Sequence, residues 1–174
     1  MDVFKFWELD MFFKFFNGVK TFYNVLTPDE IETIIVESSH LLRKIDERHP
    51  GLQTLNDFHV HMRSVGKYHI LEKIQKSVKA DGWILNSWVN YTNPSMRYSV
   101  WHTHVRPNIS LDCTCIVYLS GEEEHGTVYR KNGKIYKSKG IIGSAVTLPE
   151  DLEHSVPENI KYARFSLAID FAKY

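Results

Sequence analysis

From Trp83 onward the chain is a succession of short alternating segments, ILNSWVNY, YSVWHTHV, CTCIVYL, GTVYR, KIYKS, SAVTL and ARFSLAIDF, separated by Asn, Pro and Gly clusters. Segments of this length, rich in β-branched and aromatic side chains, predict a β-sandwich or barrel. Arg130-Lys131-Asn132-Gly133-Lys134 places an Asn-Gly pair between two of them, the signature of a tight hairpin.

The residues before Trp83 have a different period. VKTFYNVL predicts a short strand, and Thr27-Pro28-Asp29-Glu30 then supplies a helix start: a capping hydroxyl, a proline at the first helical position and a glutamate that closes the capping box. Ile31, Ile34, Ile35, Leu41, Leu42 and Ile45 recur every three to four residues, which extends this helix to about Lys44. Leu71, Ile74 and Val78 predict a second helix from Tyr68 to Val78, stopped by Asp81-Gly82. With 174 residues, 43% of them hydrophobic, the chain suits one well-filled core rather than two. The expected architecture is a single, mainly β domain of the α+β class, with a helical support region over 1–82 and a β core over 83–174.

Charge and composition narrow the partners. Twenty-one basic residues balance twenty-one acidic ones, so no net field favours a phosphate backbone or an anionic membrane. Arg130, Lys131, Lys134, Lys137 and Lys139 form only a local basic hairpin. Phe4, Trp7, Met11 and Phe15 lie at helical spacing within a first segment too interrupted by charge for a membrane span or secretory signal. Cys113 and Cys115 fall on one face of a strand with no further cysteine, which fits small core residues in a reducing, cytoplasmic setting.

The candidate chemistry lies in the β half. Residues i and i+2 of an extended segment share a face, so His102 and His104 can converge on one metal, with His154 closing the site from elsewhere in the fold. Arg164 follows on an apolar alternating run, where its guanidinium fork can receive the carboxylate of a small acidic co-substrate. A second His-x-His, His59 and His61, lacks a downstream anchor and is expected on a solvent-facing strand or loop. His125, after Glu122-Glu123-Glu124, is expected in a solvated turn, and Asp112 is a minor candidate for the metal.

The order Trp88-x-Asn90, His102-x-His104, Val117-Tyr118-Leu119, Leu148-Pro149, His154-Ser155-Val156 and Arg164-x-Ser166 resembles the iron(II)- and 2-oxoglutarate-dependent oxygenases, in their prolyl-hydroxylase-like branch common in bacteria and their viruses. The resemblance covers roughly residues 83 to 171. It implies a double-stranded β-helix, of jelly-roll or cupin-like form, packed on supporting helices. Fe(II) would be held by His102, His104 and His154, and 2-oxoglutarate by Arg164 with Ser166, Asn90, Tyr98 and Tyr118 around it. The family pattern places an acid where this chain has His104. The implied reaction is hydroxylation of a peptide or small molecule, favoured over nucleic acid, using O2 and releasing succinate and CO2, in the cytoplasm of a bacterium or its virus-infected host. A cupin-like metal protein and a catalytically silent β-helix module are the alternatives. Arg164 separates the oxygenase from the cupin.

Overall fold

The computed structural model describes residues 18–45, 51–94, 100–158 and 160–174. The N-terminal Phe4–Phe15 stripe and Tyr98 lie outside the described residues. In chain order the elements are strand β1 (Lys20–Phe22), helix α1 (Pro28–Ser39), β2 (Leu52–Gln53), α2 (Phe58–Ser64), α3 (Tyr68–Val78), β3 (Trp83–Thr92), β4 (Leu111–Tyr118), β5 (Val128–Lys131), β6 (Lys134–Lys137), β7 (Ala145–Leu148), β8 (His154–Ser155) and β9 (Arg164–Ala172).

They build two sheets, a six-stranded one in the order β1-β7-β4-β9-β3-β2 and a three-stranded one in the order β6-β5-β8. The long strand β9 is the spine of the larger sheet, paired antiparallel to β3 on one side and β4 on the other. Its sequence, RFSLAIDFA, alternates two characters. Phe165, Leu167, Ile169 and Phe171 face one way, while Arg164, Ser166, Ala168 and Asp170 face the other, because side chains on a strand alternate faces.

The apolar face meets the helices. Leu167, Ile169 and Phe171 join Val89, Cys115 and Val117 from the neighbouring strands and Ile34, Phe58, Met62, Leu71 and Ile74 from the helices in one core. Leu71 is fully buried there. Leu71→Ala is expected to destabilise the fold by about 2–5 kcal/mol, the cost of lost burial plus an unfilled cavity, measured as a shift in urea unfolding midpoint at unchanged slope. On the opposite face a second cluster of Ile116, Tyr118, Val146, Leu148, Tyr129 and Leu152 lies between the two sheets.

The capping box of α1 is present in both halves: Thr27 Oγ1 accepts from the Glu30 N–H at 3.4 Å and the Thr27 N–H donates to the Glu30 carboxylate at 2.8 Å. The helix nevertheless stops at Ser39, short of the expected Lys44. Past it, Arg43 exchanges both backbone hydrogen bonds with Gln53, so strand pairing replaces the next helical turn despite the apolar periodicity. The first 82 residues also contribute β1 and β2 to the larger sheet. Helix α3 spans the expected residues, Tyr68–Val78. At the Asn132-Gly133 hairpin both residues have positive φ, 51° and 72°, the backbone that a two-residue turn between right-twisted strands requires.

Two expectations about histidine pairs need correction. DFHVHMRS is not a strand or loop but carries α2, in which Phe58 and Met62 are the buried pair at i and i+4. His59 and His61 therefore diverge on a helix, His59 bonding to Ser87 and His61 to Glu37 at 2.9 Å. The described part of YSVWHTHV, residues 100–105, is not a strand either. Its partner β8 is only two residues long, so His102 forms a single isolated bridge to His154.

Candidate metal centre

The polar face of the larger sheet is the floor of a cavity of about 350 Å³. Register places its residues in rows: Asn90, Ser166 and Tyr118 stand side by side across β3, β9 and β4, then Trp88, Ala168 and Ile116, with Asp170 opposite both Asn86 and Thr114. Asn90, Ser166, Arg164, Trp88, His102, His104 and His154 all line the cavity.

His102 and His104 reach it from an extended but irregular segment, held where it crosses residues 150–154. His102 and His154 exchange backbone hydrogen bonds of 3.1 and 3.0 Å, and the His104 N–H donates to the Glu150 carbonyl at 2.9 Å. Arg130 braces the same segment from outside, its guanidinium 4.8 Å above the Trp101 ring and bound in a bidentate pair to Glu153 at 2.6 and 2.7 Å. The i, i+2 reasoning thus holds without a regular strand. Ring centroids of the three histidines lie 4.4–5.3 Å apart, and one nitrogen from each can be chosen so that all lie within 4.8 Å of one another.

Each of the three uses Nδ1 outward. His102 Nδ1 meets the Val100 carbonyl at 3.2 Å, His154 Nδ1 the Leu152 carbonyl at 2.9 Å, and His104 Nδ1 an Asp170 carboxylate oxygen at 2.6 Å. A carbonyl or carboxylate oxygen only accepts, so each ring carries its proton on Nδ1 and turns Nε2 with its lone pair inward. Three such nitrogens on one cavity wall are the donor set of a facial site for a divalent transition metal. Burial, with His102 next to it, holds His154 down to about 3, so it stays neutral and able to bind metal throughout the physiological range.

That neutrality makes the metal-free fold sensitive to acid. Folded His154 takes up a proton only near 3, whereas the unfolded imidazole does so near its ordinary 6.5. Between those values the unfolded chain binds more protons, so folding weakens as pH falls below 6.5, by up to about 1.4 kcal/mol per pH unit. His59, also held low by burial, acts in the same direction. Urea unfolding in chelator at pH 7, 5.5 and 4.5 is expected to show this slope in the wild type and a shallower one in His154→Gln.

Arg164 lines the cavity and is buried, 3% exposed. Its Nη1 donates to Ser166 Oγ at 3.2 Å, and its guanidinium lies 5.4 Å from the centre of the Tyr118 ring. Tyr118 supports Arg164 from the side rather than lining the cavity, with its hydroxyl held by Ser138 at 2.7 Å and Thr127 at 3.0 Å. Gly121, at φ +119°, passes so close that a Cβ there would stand 3.3 Å from Arg164 Cβ and Cγ. Asp112 is not part of the centre: its carboxylate accepts from the Asp81 N–H at 3.0 Å. His125 lies beside Glu122, in the turn after the acidic run. Burial pushes the Cys113 thiol up to about 12 and the Cys115 thiol well above its ordinary value, so both are inert sheet residues.

The residue that sequence reasoning missed is Asp170. It is fully buried on β9, and the signal was present: it lies six residues beyond Arg164, on the same face of an alternating strand, as a charge in an otherwise apolar run. Burial alone would raise its pKa, yet hydrogen bonds from His104, Thr114 and Asn86 hold it below the usual carboxylate range. Among the described residues, no helix is long and apolar enough to cross a membrane.

No protein-family model and no curated protein sequence matches the chain. Its shape is nevertheless similar to that of known structures. A Pseudomonas putida prolyl-4-hydroxylase superposes with a TM-score of 0.62 at 12% identity, over 91% of this chain and 94% of that one. The viral collagen prolyl hydroxylase of Paramecium Bursaria Chlorella virus-1, in its 2-oxoglutarate complex, gives 0.62 at 16% identity, over 90% and 96%. HygX from Streptomyces hygroscopicus, with nickel and 2-oxoglutarate bound, gives 0.67 at 13% identity, over 98% and 88%. With two sheets around a histidine-lined cavity and helices behind the larger sheet, the chain has the double-stranded β-helix fold of the 2-oxoglutarate and iron(II) oxygenases.

Proposed function

We propose that the chain is an iron(II)- and 2-oxoglutarate-dependent oxygenase that hydroxylates a peptide or small molecule. One observation carries this reading: three inward-facing histidine nitrogens and a buried arginine share one cavity. A protein that only stores or displays a metal needs no buried cation beside it, which disfavours the cupin-like alternative. A silent module has no use for three rings fixed in the metal-binding tautomer. The neighbouring structures with bound 2-oxoglutarate, with nickel or with Fe3+ support the same assignment, and the free thiols Cys113 and Cys115 suit a reducing, cytoplasmic location.

In this reading His102, His104 and His154 would hold the iron, and the cavity they line would admit the co-substrate. When bound, iron supplies the redox chemistry that divides O2 between 2-oxoglutarate, released as succinate and CO2, and a C–H bond of the primary substrate. The remaining work belongs to the chain. Arg164, with Ser166 beside it, pairs the distal carboxylate of 2-oxoglutarate and so directs its keto-acid end toward the histidines. Asn90 offers an amide along the way. Trp88, stacked on His104 at an interplanar angle of 18°, limits ring movement and closes one wall.

Calorimetry on the iron-loaded protein under nitrogen tests this directly, with glutarate as the comparison ligand. Glutarate has the same two carboxylates but no keto group. The expected result is metal-dependent 2-oxoglutarate binding at least tenfold tighter than glutarate. Equal binding of the two, with or without metal, would overturn the assignment.

A further inference from the structure

The Nδ1 of His104 is held by a charge. Those of His102 and His154 meet backbone carbonyls, whereas His104 meets the buried carboxylate of Asp170 at 2.6 Å. Asp170 is itself fixed on all sides. Oδ1 also accepts from Thr114 Oγ1 at 2.9 Å, and Oδ2 accepts from Asn86 Nδ2 at 3.3 Å and from Arg106 Nη2 at 3.2 Å. A carboxylate offers about four lone-pair sites, and here four donors meet them, so its direction is set by β3, β4 and the Arg106 loop together.

We propose that Asp170 is the positioning residue of the metal centre, fixing the tautomer and plane of His104 so that a third imidazole serves as a metal ligand. The inference rests on the metal-centre reading above. His104 needs this support more than its partners do. His102 and His154 pin one another through paired backbone bonds, whereas His104 has a single backbone bond to Glu150 on an irregular segment. A ring flip there would point Nδ1 into the cavity, and a shift of its proton to Nε2 would block the metal. Asp170 prevents both, and a carboxylate behind an imidazole also makes it a stronger donor toward the metal. Asp170 thus sets a negative charge one imidazole outward from the cavity, on the spine of the main sheet.

The informative variant is Asp170→Asn, which keeps the shape but cannot satisfy all four donors. If its oxygen faces His104 and Thr114, its NH2 meets the donors of Asn86 and Arg106. If it turns round, its NH2 faces His104 Nδ1 and drives the ring proton to Nε2. Either arrangement is expected to weaken Co(II) affinity about 10- to 100-fold and to alter the visible Co(II) spectrum. Thr114→Val, which removes one of the four bonds to the same carboxylate without contacting a histidine, is expected to cost less Co(II) affinity than Asp170→Asn does. A folded Asp170→Asn variant with unchanged Co(II) affinity and spectrum would overturn the proposal. Because a buried substitution can prevent folding, nitrogen NMR on metal-free wild type gives a second test: His104 is expected to carry its proton on Nδ1, and an Nε2–H tautomer would overturn the proposal too. If the wild type bound no Co(II), the metal-centre reading itself would fall, an outcome distinct from unchanged affinity in the variant.

Discussion

His154→Ala is expected to abolish tight metal binding while leaving a folded protein. The change removes one of three inward nitrogens, and two remaining imidazoles cannot hold a divalent ion against water and chelators as three do. Loss of an outer-shell partner alone costs 10- to 100-fold in comparable centres, so loss of a direct ligand should exceed about 100-fold. The fold should survive because the main-chain bonds that tie His154 to His102 do not involve the ring. Competition titration with a chromophoric chelator, beside circular dichroism, measures both properties. Metal affinity within a fewfold of wild type would mean that the ion binds elsewhere.

Arg164→Ala should have the opposite signature, intact metal binding with 2-oxoglutarate affinity lost. Arg164 is the buried cation of the cavity lining, 3% exposed, against 37% for the side chain of Arg106. Removing one member of a desolvated charge pair costs about 2–5 kcal/mol, here roughly 30- to 4,000-fold in co-substrate affinity. Lysine at this position should recover only part of it, because a point charge cannot reproduce the two-pronged contact of a guanidinium. Calorimetry of both variants on metal-loaded protein checks this. Unchanged affinity in Arg164→Ala would place the distal carboxylate away from β9.

The parts of the fold and site legible in the sequence were those with local causes. The capping box at Thr27 and Glu30, the stripe of α3 and the Asn132-Gly133 turn each depend on residues within a few positions of one another, and each is found in the structure. His102, His104, His154 and Arg164 were legible because i, i+2 spacing on an extended segment, its bridge to His154 and side-chain alternation on β9 carry them to one cavity. What escaped was set by tertiary pairing. The periodicity of α1 continued past Ser39, but the pairing of Arg43 with Gln53 won. The His59-x-His61 segment read as a solvent-facing strand or loop, whereas its Phe58 and Met62 face packs on the core as a helix. Asp170 escaped because its meaning depends on three other segments: it reads as a flaw in an apolar strand until Asn86, His104 and Thr114 are brought around it.

The measurement that tests the account most directly is the visible spectrum of the iron(II)-loaded protein titrated with 2-oxoglutarate under nitrogen. A keto acid chelated to iron held by three histidines predicts a metal-to-ligand charge-transfer band that rises to saturation with one equivalent, is absent in His154→Ala and needs far more 2-oxoglutarate in Arg164→Ala. Tight iron binding with no band at saturating 2-oxoglutarate would contradict the account, leaving the three histidines as a metal site without oxygenase chemistry.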